Sequence, residues 1–172
     1  MRKITPTMLA PCLVALAGCG GMMRMNIVVE LDGELVKNPG SIPSIQVNLV
    51  GVNQSELPQW KGYSMAKYWS PGDKLRAGAD KHEMRFGQGI ATTQKLDGKD
   101  PVFDQWQQKT ASHLFVMADL PGVVEGAQGD EADPRRLILP LDAKAWKLKK
   151  NSVLITIRAG QMLCTPAPLK GM

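Results

Sequence analysis

The sequence predicts a mainly β domain, an antiparallel β-sandwich with one or two short helical insertions. Six to eight short segments rich in β-branched and apolar residues are separated by turn signals, and strands do not alternate regularly with helices. The chain has 172 residues, 44% hydrophobic and 22% charged, which suits one folded domain and excludes a disordered chain. No apolar run of about 18 residues is present, so the sequence predicts no transmembrane helix.

The first 18 residues are typical of a secretory signal peptide. Arg2 and Lys3 form a basic start, and the apolar stretch 8–17 that follows is too short to span a bilayer. Leu16-Ala17-Gly18-Cys19 resembles a bacterial lipoprotein lipobox. The resemblance implies a diacylglycerol on the Cys19 thiol, cleavage before Cys19 and an acyl chain on the new amine. The alternative is an ordinary signal peptide with a chance cysteine.

Cleavage at this site changes the expected location and charge of the chain. It leaves 154 residues and lowers the net charge from +5 to +3, since Arg2 and Lys3 are lost. Two or more acyl chains give stable attachment to a membrane. Gly20 stands where an aspartate favours the inner membrane, so we expect the periplasmic face of the outer membrane. We expect no nucleic-acid partner, because the excess charge faces the periplasm and no nucleic-acid motif is present.

The first half of the mature chain is expected to begin with a short tether at 19–24, before a domain at 25–164. Residues 25–31 predict a strand that ends in a tight turn at Asp32-Gly33, and a second turn signal follows at 37–40. Residues 44–52 predict a half-buried strand, with Ile45, Val47 and Leu49 on one side and Gln46 and Asn48 on the other. The pattern breaks at 53–78, where a short helical turn is expected at 63–69.

The second half is expected to hold the central strand. A short strand is predicted at 81–86. Asp100-Pro101 predicts a helix start, and Val102, Phe103, Trp106 and Thr110 share one face of a helix that reaches about residue 111. Residues 113–120 are apolar on both faces, as in a strand covered on two sides. The remaining expected elements are a polar loop at 125–134, a strand at 136–141, a basic connection at 144–151, a strand at 152–158, an extension at 161–164 and a loose tail at 165–172.

No group of residues predicts an active site or a metal centre. His82 and His113 lack metal-ligand spacing, and no glycine-flanked serine nucleophile is present. Cys164 has apolar neighbours that should raise its thiol pKa and leave it unreactive, although an intermolecular disulfide is the alternative. Three acidic residues, Asp130, Glu131 and Asp133, predict a solvated loop rather than a cation site. We therefore expect no enzyme, no cofactor apart from the lipid on Cys19, and no small-molecule substrate.

Two surface features are candidates for binding. Four of the nine aromatic residues lie within ten residues, and with the preceding turn they form a candidate partner-binding segment: Asn53, Gln54, Trp60, Tyr63, Tyr68 and Trp69. The aromatic side chains would bind a protein, or stack on a glycan or peptidoglycan, or else cap one end of the core. Lysines flank Trp146 at positions 144, 147, 149 and 150, where they would meet anionic headgroups or solvent.

The order of elements resembles the type VI secretion outer-membrane lipoprotein family, TssJ. Cys19 matches the lipidated cysteine. Residues 45–52, the aromatic segment, Leu114–Asp119, Arg136–Leu141 and Val153–Ile157 follow the family's order of strands. The resemblance implies a transthyretin-like β-sandwich that is not an enzyme. It also implies a partner in the inner membrane with a periplasmic domain (TssM-like), bound through a loop for which the segment after Val52 is the candidate.

Overall fold

Two four-stranded sheets pack face to face in the computed structural model, which describes residues 21–123, 133–148 and 150–169. The strands are β1 (Asn26–Leu31), β2 (Ile45–Asn53), β3 (Lys81–Phe86), β4 (Thr93–Leu96), β5 (Ala111–Ala118), β6 (Arg136–Pro140), β7 (Ser152–Arg158) and β8 (Gln161–Thr165). The helices are α1 (Gly33–Val36), α2 (Leu57–Gly62), α3 (Met65–Trp69), α4 (Lys74–Gly78) and α5 (Val102–Gln108), and 3-10 turns lie at Pro39–Ser41 and Ala143–Ala145.

The strand order confirms the predicted sandwich class and differs from the expectation in one pairing. The first sheet has the order β4-β1-β7-β8 and the second has the order β3-β2-β5-β6. All pairs are antiparallel except β1 with β7, which run parallel from Asn26 opposite Ser152 to Leu31 opposite Ile157. The described part of the chain also has five short α-helices rather than one or two.

The main core lies between the two sheets. Alternate residues of β1 and β7 point inward, as the sequence predicted for 152–158, and they meet the inner face of the second sheet. From β2 and β5 the inner face receives Val47, Leu49, Leu114 and Val116, all fully buried. Burial of this apolar surface is the main stabilising contribution to the fold.

Strand β2 is buried on both faces, which corrects the expectation that it is half-buried. Val50 and Val52 point away from the main core into a second hydrophobic cluster. Asn48, on the same face of the strand, is also fully buried. The reason is the segment 57–78, whose three helices α2 to α4 lie over the outer face of the second sheet. We call residues 57–78 the helical cover. Strand β5 is covered on two sides, as predicted.

Helix α5 closes one end of the space between the sheets. Asp100 accepts a hydrogen bond from the Val102 backbone N–H at 2.9 Å, in line with its predicted capping role. Val102, Phe103 and Trp106 are buried as predicted. Thr110, expected on the same face, is exposed because the helix ends at Gln108 and Thr110 adopts a positive φ of 54°.

One local prediction was wrong, and one strand was not predicted. Asp32-Gly33 does not form a tight turn with a glycine at positive φ. Instead Asp32 Oδ1 accepts the Glu34 N–H at 3.0 Å and starts the single turn of α1. Strand β4 had no sequence signal, because Leu96 is the one buried side chain among its four residues.

The two ends of the sandwich differ in which chain segments they hold. Met23 N–H donates to Leu141 O at 2.8 Å, and Asn151 Nδ2 donates to Arg24 O at 2.6 Å. Strands β1, β5 and β7 begin at this end, and β2 ends there at Asn53. We call it the proximal end. The distal end holds the connections 32–44 and 87–92 and the β7–β8 turn.

Candidate functional site

The predicted partner-binding segment begins at the proximal end with a polar turn. Asn53 Oδ1 accepts from the Ser55 hydroxyl at 2.8 Å and from the Glu56 N–H at 2.9 Å, so its side chain is occupied in starting α2. Gln54 is exposed, and its Oε1 lies 3.5 Å from the Ser112 hydroxyl. Gln54 is therefore the more accessible of the two predicted contact residues.

Two of the four predicted aromatic residues belong to the interior. Trp60 is 5% exposed and Tyr68 fully buried, and the Trp60 ring lies 6.2 Å from Tyr68 and 5.8 Å from Phe115, centroid to centroid. Together with β2 and β5 side chains they form the second cluster, under the helical cover. A glycan cannot stack on Trp60 or Tyr68 in this arrangement. Of the four predicted aromatic residues, Tyr63 and Trp69 therefore remain as candidates for glycan binding.

A buried polar pair fixes the cover to β2. Asn48 Nδ2 donates a 2.9 Å hydrogen bond to the Tyr68 hydroxyl, and Gln46 Nε2 donates to Asn48 Oδ1 at 3.4 Å. Burial raises the pKa of Tyr68 to about 12, so its hydroxyl stays protonated at any physiological pH. This hydrogen bond explains how strand β2 can hold the buried Asn48 amide.

Tyr63 and Trp69 keep half-exposed surfaces at the edge of the cover. The Tyr63 hydroxyl donates to Asp73 Oδ2 at 2.6 Å, and burial together with that carboxylate raises the pKa of Tyr63 to about 12. Asp73 Oδ1 also accepts the Arg76 N–H at 2.8 Å, which caps α4. The Arg76 guanidinium lies 5.5 Å from the Trp69 ring, while the Trp69 indole N–H is buried without a hydrogen-bond partner among the described residues.

Arg136 joins the helical cover to the second sheet, which the sequence did not reveal. It is 3% exposed, and Nη1 donates to the carbonyl oxygens of Trp60 at 2.6 Å and Tyr63 at 3.1 Å. Its neighbour Arg135 pairs with buried Asp133 through two hydrogen bonds of 2.8 and 3.0 Å. Burial raises the pKa of Asp133, but the Arg135 hydrogen bonds outweigh it and leave that pKa below its usual value. The sequence feature that could have indicated this role is the pair of adjacent arginines just before the apolar residues of β6.

The histidines do not assemble a catalytic group in the described part of the chain. His82 Nδ1 lies 3.9 Å from Asp100 Oδ2, which is beyond hydrogen-bond distance. His113 Nδ1 is 2.9 Å from the Ser112 hydroxyl, and burial and then the charge of Lys61 lower its pKa. A nucleophile-and-base pair needs a third group that orients the base, and no carboxylate hydrogen bond to His113 is found among the described residues.

The remaining residues with reactive or metal-binding side chains lie in packed or hydrogen-bonded positions where the structure describes them. Burial raises the pKa of the Cys164 thiol to about 11, in line with the predicted unreactive thiol, and Sγ lies 3.5 Å from Pro166 O. No cluster of three metal-ligating side chains occurs among the described residues. Asp130 and Glu131, of the predicted acidic loop, lie outside the described residues, and Asp133 is buried. Met25 is in the core, with Met22 and Met23 packed against it.

The proximal end carries the first described residues and the described part of the predicted basic segment. Trp146 is 7% exposed, and its indole N–H donates to Pro140 O at 2.8 Å. Lys144, Lys147 and Lys150 are exposed around it, while Lys149 lies outside the described residues. Cys19 and the rest of residues 1–20 also lie outside them. No helix in the described segments is long and apolar enough to cross a membrane.

Comparisons with known proteins show a shared fold. No family model matches the sequence, and no curated protein matches it. The C-terminal domain of the type VI secretion protein TssM from EAEC has a TM-score of 0.51 at 12% identity, covering 81% of this chain and 98% of that one. Serratia marcescens Lip, a membrane-bound type VI secretion component, scores 0.44 at 14% identity, covering 88% and 99%. The lipoprotein TssJ1 from Pseudomonas aeruginosa scores 0.37 at 14% identity, covering 86% and 99%. At these identities the comparisons show similarity of fold alone. Among the three, the TssM domain has the TM-score above 0.5 and is the one that supports it.

Proposed function

We propose that this chain is an outer-membrane lipoprotein that serves as a structural adaptor in a cell-envelope complex. The observation that carries the proposal is the lipobox Leu16-Ala17-Gly18-Cys19 a few residues before a β-sandwich whose backbone contacts begin at Met23. A lipid on Cys19 would hold the sandwich at the periplasmic face of the membrane. The described residues offer buried structural pairs rather than an assembled catalytic group, which supports an adaptor over an enzyme.

The complex that we propose is the membrane complex of type VI secretion. Two independent observations support it: the order of strands and the lipobox resemble the TssJ lipoproteins, and the fold is similar to a domain of a type VI secretion protein. The proposed partner is an inner-membrane protein with a periplasmic domain, of the TssM kind. No nucleic acid and no small-molecule substrate take part.

The lipid anchor is tested by replacing Cys19. Cys19→Ser should give an unprocessed precursor that takes up no radiolabelled palmitate, because the thiol that receives the lipid is gone. Cys12→Ser, in the predicted signal peptide, is the matched control and should be processed and labelled normally. Normal processing of Cys19→Ser would refute the lipobox.

The partner contact that we propose is Gln54 with the half-exposed edges of Tyr63 and Trp69. A photo-crosslinking residue at Gln54 should capture an inner-membrane protein in intact cells. The same residue at Ile90, which is 46% exposed at the distal end, serves as the control. Capture at Ile90 and not at Gln54 would move the contact to the distal end, and capture at neither, with no partner in a cross-linked pull-down, would refute the adaptor function.

A further inference from the structure

We infer that the basic segment at the proximal end contacts the membrane, where Lys144, Lys147 and Lys150 bind anionic phospholipid headgroups, and that the partner meets the chain from the side of the helical cover. The inference rests on the proposed lipid anchor at Cys19 and extends it from an attachment to an orientation. It starts from three observations: the reach of the chain, the distribution of charge, and the way in which the basic segment is held.

The length of the tether limits how far this end can move from the membrane. The Met23 backbone is fixed to Leu141 by a 2.8 Å hydrogen bond, and it is four residue steps from Cys19 along the chain. A fully extended chain spans at most about 3.6 Å per residue, so a lipid on Cys19 could be no more than about 14 Å of chain away from Met23. That reach is just under two Debye lengths in physiological salt, each about 8 Å. A lipid on Cys19 therefore keeps the charges around Met23 within the field of the headgroups.

The basic segment, with Asp142, carries a charge equal to the net charge of the expected mature chain. Residues 142–151 contain four lysines and one aspartate, a net charge of +3, which equals the expected net charge after cleavage. The rest of the mature chain is balanced. This charge already includes Asp142, whose Oδ1 accepts the Lys144 backbone N–H at 2.9 Å and caps the 3-10 turn.

The described lysines of the basic segment are available to an outside ligand. Lys144, Lys147 and Lys150 are exposed, and their ammonium groups have no carboxylate partner among the described residues. In contrast, Lys37, Lys95 and Lys109 each pair with a carboxylate, at 2.5, 2.8 and 3.4 Å respectively. These three unpaired lysines on one short segment make a phosphate-binding surface, since a lysine attracts phosphate as a point charge.

The described residues on both sides of Lys149 are held by specific contacts. The buried Trp146 lies between Lys144 and Lys147, with its indole N–H on Pro140 O, and Ala145 O accepts the Leu169 N–H at 2.9 Å. Lys150 and Asn151 adopt positive φ values of 63° and 49°, and this bend leads into β7. The stems of Lys144 and Lys147 therefore start from fixed positions on either side of Trp146. A charged, tethered surface of this kind fits the headgroups of an anionic membrane.

The experiment uses the full lipidated chain reconstituted in vesicles. Site-resolved acetylation of each lysine is compared between phosphatidylcholine vesicles and vesicles with one quarter phosphatidylglycerol. A lysine near an anionic surface gains about a fivefold preference for it, so Lys144, Lys147 and Lys150 should react about fivefold more slowly in the anionic vesicles. Lys37, Lys67 and Lys74, which lie away from the proximal end, should react equally in both. Protection should disappear in 0.5 M salt.

A matched pair of variants separates charge at this end from charge elsewhere. In K147Q/K150Q, Lys144 should lose most of its protection, whereas K37Q/K67Q should leave it unchanged. Equal acetylation in the two kinds of vesicle overturns the inference. A carbonate wash of the same samples reports the lipid separately. If the chain stays on the vesicles but its lysines are unprotected, the lipid anchor stands and the membrane contact of the basic segment is refuted. If the chain washes off although its lysines are protected, the anchor is refuted and the membrane contact stands.

Discussion

Replacing Gly51 with alanine tests the packing at the point where α5 meets β2. A Cβ at this position would lie 2.4 Å from Trp106 Cγ and 2.8 Å from both Cβ and Cδ2 of Trp106. Such distances do not occur between non-bonded carbon atoms, so the indole or the strand has to shift. The indole cannot move freely, because it is fully buried and its N–H donates to Asp80 O at 2.9 Å.

The size of the effect follows from this overlap. Extra carbon atoms in a packed core cost about 1–3 kcal/mol, and we expect Gly51→Ala to lie near 3 kcal/mol because the neighbour is a rigid ring. For a chain of this length the melting temperature should fall by about 6–12 °C. Trp106→Ala leaves a cavity and should itself cost about 3–5 kcal/mol. On that background Gly51→Ala should cost less than about 1 kcal/mol, since most of the overlap is gone.

The assay is thermal and urea unfolding of the four proteins in the double-mutant cycle. Gly62→Ala is the matched control, because a Cβ there meets nothing within 4 Å, and it should leave stability unchanged or slightly raised. A Gly51→Ala protein as stable as the parent, or an equal cost with and without Trp106, would refute the packing described for α5.

Three further outcomes are expected. Tyr68→Phe should lower the free energy of unfolding by about 1–3 kcal/mol, measured in urea, because the buried Asn48 amide loses its acceptor; an unchanged value would contradict the pair. Arg136→Met should increase hydrogen exchange in the helical cover more than in β7, since the Trp60 carbonyl oxygen loses its donor, and uniform change across the chain would argue against a local fastening. Cys164 should react with iodoacetamide about a hundredfold more slowly than a thiol of ordinary pKa at pH 8, and faster as the pH rises towards 11, whereas reaction at the ordinary rate would show that the thiol is not buried.

Local patterns predicted the strands because alternation and apolar runs record which side of a residue is buried. Residues 152–158 and 81–86 were predicted with the bounds that the structure has, and the α5 face from Val102 to Trp106 was also correct. These elements depend on neighbours a few residues away. The parallel pairing of β1 with β7 does not, since about 125 residues separate the partners, and no local pattern reports it.

The outer face of the second sheet shows why the candidate site was only partly predicted. Asn48 has the polarity of a solvent-facing strand residue, and Trp60 and Tyr68 have the composition of an exposed binding segment. In the structure the two segments cover each other. The aromatic rings pack on the strand, and the Tyr68 hydroxyl accepts a hydrogen bond from the Asn48 amide. Such a mutual arrangement becomes visible only when both segments are brought together.

The position of β1 decides how the fold would respond to a pulling force. In a chain that is held at its N-terminal end, a load applied at the distal end passes along β1, which lies inside its sheet between β4 and β7. Because β7 runs parallel to β1, the six residue pairs from Asn26–Ser152 to Leu31–Ile157 resist the load together, in shear, instead of opening one after another. The strand that follows the tether is thus the one best placed to withstand mechanical strain.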